Sequence, residues 1–209
     1  ANITAKALTM TGLTASDKVY DGNTTATVVN NAALTGSQAA GAGTSTDGKW
    51  YSGDTVSITG TAVGTFNNAN VSLANSVTFS GLSLTGAQAG NYTLTMQSPS
   101  AAAITPKTVS LSASKAYDGT TDLTGSQVVI SGLIGSQDLA YSAATANDAH
   151  VATPGKYINA ITLVNGSTGL ASNYQLPVLN AANAPVTITP LALTCLLYTS
   201  DAADDTPCV

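Results

Sequence analysis

Short runs in which apolar and polar residues alternate make up most of this chain. Val56 and Ile58, Val71 and Leu73, Val77 and Phe79, Leu82 and Leu84, then Tyr92, Leu94 and Met96 stand two residues apart, the period of a strand with one buried face. Turn-forming residues separate the runs at Ser52-Gly53-Asp54, Gly64, Asn67-Asn68 and Ala89-Gly90-Asn91. Many short strands at regular spacing predict an all-β fold.

The second half repeats the pattern, with Val109 and Leu111, Val128 and Ile130, Ile161 and Leu163, Tyr174 and Leu176, and Val186 and Ile188. Two motifs travel with it. Lys18-Val19-Tyr20-Asp21-Gly22-Asn23-Thr24 returns 97 residues later as Lys115-Ala116-Tyr117-Asp118-Gly119-Thr120-Thr121, and Asn91-Tyr92-Thr93-Leu94 returns as Asn173-Tyr174-Gln175-Leu176. A third marker occurs three times, beginning at Ile3-Thr4-Ala5-Lys6, Ile104-Thr105-Pro106-Lys107 and Ile188-Thr189-Pro190-Leu191, spaced 101 and 84 residues apart. These intervals predict one module over residues 1–105, a more divergent second over 106–189, and the first strand of a third at 190–194. The period is too long for a solenoid and suits a small β-sandwich.

Hardly any linker separates the modules, because Ala101-Ala102-Ala103-Ile104-Thr105-Pro106-Lys107 runs from the last strand of one into the first strand of the next. Proline fixes its own φ and biases the preceding residue toward extended backbone. Modules placed end to end as a semi-rigid rod are the expectation. Residues 39–48 form a Gly, Ala, Ser and Thr insertion ahead of Trp50-Tyr51, expected to be an exposed loop.

Composition narrows the function. Apolar residues make up 44 % of the chain, which argues against disorder, whereas only 8 % are charged; soluble domains usually carry roughly 25 %. Glu and Arg are absent and the six lysines are scattered, so a phosphate backbone finds no electrostatic footprint and no nucleic-acid partner is expected. No run of about eighteen apolar residues predicts membrane insertion within this stretch, and no signal peptide is recognisable at its start; an export signal is expected upstream.

The composition breaks at Cys195-Leu196-Leu197-Tyr198-Thr199-Ser200-Asp201-Ala202-Ala203-Asp204. This run resembles the translation of a sequencing-library adapter, and residues 195–209 are therefore expected to be non-native and set aside. Both cysteines, Cys195 and Cys208, fall there, so no disulfide is inferred. Three of the eleven aspartates go with them, which takes the formal charge from −5 to −2.

Few residues offer chemistry. Asp21-Gly22 and Asp118-Gly119 could suggest calcium, but that ion takes six to eight oxygens and usually clustered carboxylates, while Asp-Gly is a strong turn signal. No metal or other cofactor is expected. Tyr20, Tyr92, Tyr117 and Tyr174 could form a sugar platform, but buried tyrosines with hydrogen-bonded hydroxyls are the commoner case. Trp50 and Tyr51, without a clear counterpart in the second module, are the best candidates for ligand contact. His150 is the only histidine, so a nucleophile would lack a paired base, and no catalytic residue is assigned. An isopeptide crosslink through Lys18 or Lys115 would need a buried acid.

Lys-x-Tyr-Asp-Gly-x-Thr, with Ile-Thr-Ala/Pro-Lys before it and Gly53-Asp54-Thr55-Val56, Ala89-Gly90-Asn91-Tyr92 and a closing Ile-Thr-Pro after it, resembles the YDG repeat domain of large bacterial exoproteins of the filamentous-haemagglutinin type. In the second module Ser136-Gln137-Asp138-Leu139 replaces the Ser52–Thr55 region and Ala171-Ser172-Asn173-Tyr174 replaces Ala-Gly-Asn-Tyr. The resemblance implies immunoglobulin-like β-sandwich repeats of a secreted, surface-associated protein of a Gram-negative bacterium, serving as a non-catalytic stalk or adhesive module. Neighbouring repeats of the same polypeptide, and a host or environmental glycan or protein, are the implied partners. A carbohydrate-binding module acting through Trp50, Tyr51 and polar loops is the alternative.

Overall fold

A computed structural model describes residues 2–193. Within them the chain is all-β, and its only helical pieces are three-residue 3₁₀ turns at Ala89–Asn91, Gly125–Gln127 and Ala171–Asn173. The residue expected to close the start of a third module, Thr194, and the whole adapter-like stretch lie outside the described residues. Among the described residues the chain divides into two compact units: one takes residues up to Ser110 with Ile130–Ser142 and Leu163–Pro177, the other Leu111–Val129, Ala143–Thr162 and residues 178–193.

The first unit is built on two long antiparallel strands, Ser57–Phe66 and Ser76–Thr85, flanked by Thr25–Ala26 and Ser100–Ala101. Their register shifts between Ser80 and Leu82. Gly60 and Gly81 sit at this bulge with φ of +98° and +82°, and a Cβ on either would stand 2.3 Å from a carbonyl oxygen across the ladder. Only glycine fits both the backbone conformation and the approach. A second sheet runs Lys6–Thr11 parallel to Tyr92–Thr95, with Leu8 opposite Leu94. Leu8, Met10, Phe66 and Val77 are almost wholly buried and form the core of this unit.

Two local expectations change. Gly64, read as a turn, lies inside the Ser57–Phe66 strand. Its missing side chain makes room for Val28, Ala26 and Val77, each of which would come within 3.1 Å of a Cβ there. Val71 and Leu73, read as a strand, belong to the turn joining the long strands. That turn is held by Asn67, whose amide donates to the Leu73 carbonyl and whose oxygen accepts from Asn75 and Ser76.

In the second unit, Ala113 and Lys115 run parallel to Val186 and Ile188. Asp122–Leu123 pairs with Thr145 and Ala144 of the strand Leu139–Ala146. Leu111, Leu123, Ala146, Ile158, Ala184 and Ile188 are buried.

The Ile-Thr-Pro marker also takes on a different meaning. Ile104–Thr105 pairs in parallel with Lys18–Val19, and Ile188–Thr189 with Lys115–Ala116. The marker thus completes the sheet beside a Lys-x-Tyr-Asp-Gly strand instead of opening a new one. Lys107–Thr108, just past Pro106, pairs with Tyr174–Gln175. Ile104 and Ile188 are buried at 2 % and 4 % exposure, whereas Ile3 is 96 % exposed.

Candidate functional site

Each Lys-x-Tyr-Asp-Gly motif folds as a self-braced turn. The Lys18 ammonium lies 2.7 Å from Asp21 Oδ1 and also donates to the Asn23 carbonyl and side-chain oxygen. Asp21 accepts from the Asn23 amide, and Gly22 takes the positive φ that the turn requires. Burial pushes the Asp21 pKa up, but Lys18 and Asn23 outweigh it and hold the carboxyl below its ordinary value. In the second copy Lys115, with its side chain 1 % exposed, lies 2.7 Å from Asp118. It also donates to the Thr120 and Asp122 carbonyls. Lys115, then the Thr120 amide, depress the Asp118 pKa to about 2, and Gly119 again has positive φ.

This chemistry opposes an isopeptide bond, in which a neutral lysine must attack a carboxamide. Lys18 is instead paired with half-exposed Asp21, whose carboxyl is held below its ordinary value, and Thr120 stands where the first copy has Asn23. Among the described residues no group of three His, Cys, Asp or Glu side chains is placed to hold a metal.

Of the four tyrosines in the two repeated motifs, three are buried: Tyr20, Tyr92 and Tyr174 at 4–6 % exposure. The hydroxyl of Tyr92 accepts from the Tyr51 amide and donates to Asp54. The hydroxyl of Tyr174 accepts from the Ile134 amide and donates to Gln137. Read in line, Asp138 stands opposite Asp54, but Gln137 takes its place, one residue earlier. Asp138 instead accepts from Thr168 and Ser167, first from the Thr168 hydroxyl, which holds its carboxyl far below the ordinary range. Tyr117 departs from the buried expectation at 36 % exposure.

Inside the first unit these pieces meet. The rings of Tyr20 and Tyr174 pack edge to face with centroids 5.4 Å apart. Gln137 Nε2 donates to the Tyr20 hydroxyl at 2.9 Å, completing a chain from Tyr20 through Gln137 to Tyr174. Asn173, 1 % exposed, accepts from the Val71 amide and donates to Asn70 Oδ1. The first Tyr-Asp-Gly motif and the second Asn-Tyr motif are therefore two halves of one joint. Sequence reading singled out both motifs but gave Asn70, Val71 and Gln137 no part in joining them.

Trp50 and Tyr51 are half-buried on a strand beside Ser37–Gln38. Their side chains diverge in use. Tyr51 lies under the Lys6 ammonium, 5.5 Å from its ring centroid, and lines a cavity of about 550 Å³ with Ile3, Asp54, Asn91 and Tyr92; Trp50 does not line it. The insertion before them is exposed but braced: Asp47 accepts from Lys6, Gln38 and the Thr44 and Lys49 amides.

The model of the YDG domain matches this chain twice, over residues 4–101 and 99–184. The chain belongs to the YDG domain family. No curated protein and no solved structure matches it. In this YDG chain the matched segments meet near Ala101, where the backbone passes from one Tyr-Asp-Gly strand's partner to the next Asn-Tyr strand's partner within a few residues.

Proposed function

We propose that this chain is a structural stalk and adhesive repeat of a secreted bacterial surface adhesin of the filamentous-haemagglutinin type, working as a semi-rigid spacer without catalysis. One observation carries the reading. The backbone from Ile104 to Thr108 is paired on both sides of Pro106, first with Lys18–Val19 and then with Tyr174–Gln175. No unpaired segment is left there to act as a hinge, and Tyr20, Gln137 and Asn173 brace the same place. A spacer needs that kind of continuity, and the polar, sparsely charged composition suits an extracellular role.

Backbone ¹⁵N relaxation on the full chain tests the stiffness. The amides of residues 103–105, 107 and 108 are expected to show order parameters of about 0.85, like the neighbouring strands. Values below about 0.6 at those residues would remove the spacer reading. The glycan-binding alternative rests on Tyr51 lining the 550 Å³ cavity; reproducible glycan-array binding that disappears in Tyr51→Ala would favour it, and silence across the array would favour the spacer.

A further inference from the structure

Inside the first unit a Tyr-Asp-Gly end is locked to an Asn-Tyr face. Tyr20 packs on Tyr174 and is met by Gln137, while Asn70 and the Val71 amide hold Asn173. The second unit carries the same end. Tyr117 donates its amide to the Thr189 carbonyl as Tyr20 does to Thr105, and a proline follows each threonine. The turn that presents Asn70 and Val71 is also repeated. Asn147 accepts from the Tyr157 amide as Asn67 does from Ser76, and Asp148 accepts from the His150 amide as Asn68 does from Asn70. His150 and Val151 therefore hold the places of Asn70 and Val71.

Yet this end is open where the first is closed. Tyr117 is 36 % exposed against 4 % for Tyr20, Val151 is 37 % exposed, and the His150 side chain is 74 % exposed. Tyr117, Val151, Pro190, Leu191 and Leu193 line an apolar hollow of about 290 Å³. The complementary face is open at Asn91, although Tyr92 beside it is buried. Ile3, Asp54, Asn91 and Tyr92 line the 550 Å³ cavity, and Asn91 is exposed although its counterpart Asn173 is buried.

We propose that the Tyr117–His150–Val151 end is a docking site for the Asn-Tyr face of a further YDG repeat continuing the chain beyond Pro190, joined by the contacts already made around Tyr20. With this chain's own first repeat as the occupant, the Tyr117 ring lies edge-on to Tyr92 and its hydroxyl donates to Asp54. The Asn91 side chain accepts from the Val151 amide and donates to the His150 ring. This deepens the spacer reading, on which it rests only for the premise that repeats adjoin.

The test is a tandem in which residues 1–190 run directly into residues 6–209 of a second copy, so that Pro190 leads to Lys6 as Pro106 leads to Lys107. Tyrosine nitration and histidine carbethoxylation are read by peptide mass spectrometry against the single chain. Nitration at Tyr117 and carbethoxylation at His150 are expected to fall to about half, because one of the two ends is shielded from solvent. Tyr20, protected in both proteins, reports that the repeats are folded. Full reactivity of Tyr117 and His150 with Tyr20 still protected would overturn the proposal. That result would leave the spacer reading to the relaxation experiment, which uses the single chain.

Discussion

Truncating Tyr20 to alanine removes a ring that is 4 % exposed, packed edge to face on Tyr174 and hydrogen-bonded to Gln137. Deleting a buried aromatic side chain costs about 3–5 kcal/mol, and the aromatic pair accounts for about 1 kcal/mol of that. Tyr20→Ala should therefore destabilise the first unit by about 4 kcal/mol. Tyr20→Phe keeps the ring but leaves Gln137 Nε2 without its partner, and should cost about 1 kcal/mol. Trp50, the only tryptophan and a member of the first unit, gives a local fluorescence probe for urea unfolding, with an unchanged m-value required before the midpoints are compared. The paired control is Tyr117→Ala, followed by circular dichroism. It occupies the same motif position but is one-third exposed, and should cost about 1–2 kcal/mol. A Tyr20→Ala loss no larger than the Tyr117→Ala loss would refute the claim that Tyr20 is held by a joint.

Other perturbations act on separate parts of the molecule. Gly60→Ala places a Cβ 2.3 Å from the Gly81 carbonyl at φ +98°, so the long hairpin should lose about 3 kcal/mol in denaturant unfolding. Lys115→Met leaves the Thr120 and Asp122 carbonyls without their donor and should cost about 2 kcal/mol. In the same variant, NMR titration should show the Asp118 pKa rising from about 2 toward the ordinary value of 3.8. Because the folded-state pKa is depressed, the stabilisation linked to Asp118 is present above pH 3.8 and is lost as pH falls through about 2. The intact mass should equal that of the sequence, because Lys18, paired with Asp21, does not displace ammonia from the Asn23 carboxamide.

Much of the fold was legible because Val, Ile, Leu and Phe alternate clearly in strands such as Ser76–Thr85 and Val186–Thr189. The strand Leu139–Ala146 was not, since alanine and serine give its two faces little contrast. Val71 and Leu73 show how two residues at a spacing of two can mislead: their backbone is committed to a turn by Asn67, a side-chain effect that periodicity does not carry. The parallel pairing of Ile104 with Lys18 spans most of a repeat and leaves no local trace. The two motifs were visible as repeats, but their meeting was not, because Gln137 and Asn70 are polar residues in turns with no distinguishing composition. One signal was available. Asn67-Asn68-Ala69-Asn70-Val71 matches Asn147-Asp148-Ala149-His150-Val151 in spacing, and aligning these turns would have placed His150 as the counterpart of Asn70.

The central claim is that the Tyr-Asp-Gly motif of one repeat is locked onto the Asn-Tyr motif of the next. A nuclear Overhauser spectrum of the full chain with selectively labelled tyrosine tests it directly. With ring centroids 5.4 Å apart, cross-peaks between the Tyr20 and Tyr174 ring protons are predicted. Their absence, in a spectrum that still shows Tyr174 contacts to Gln137, would contradict the joint.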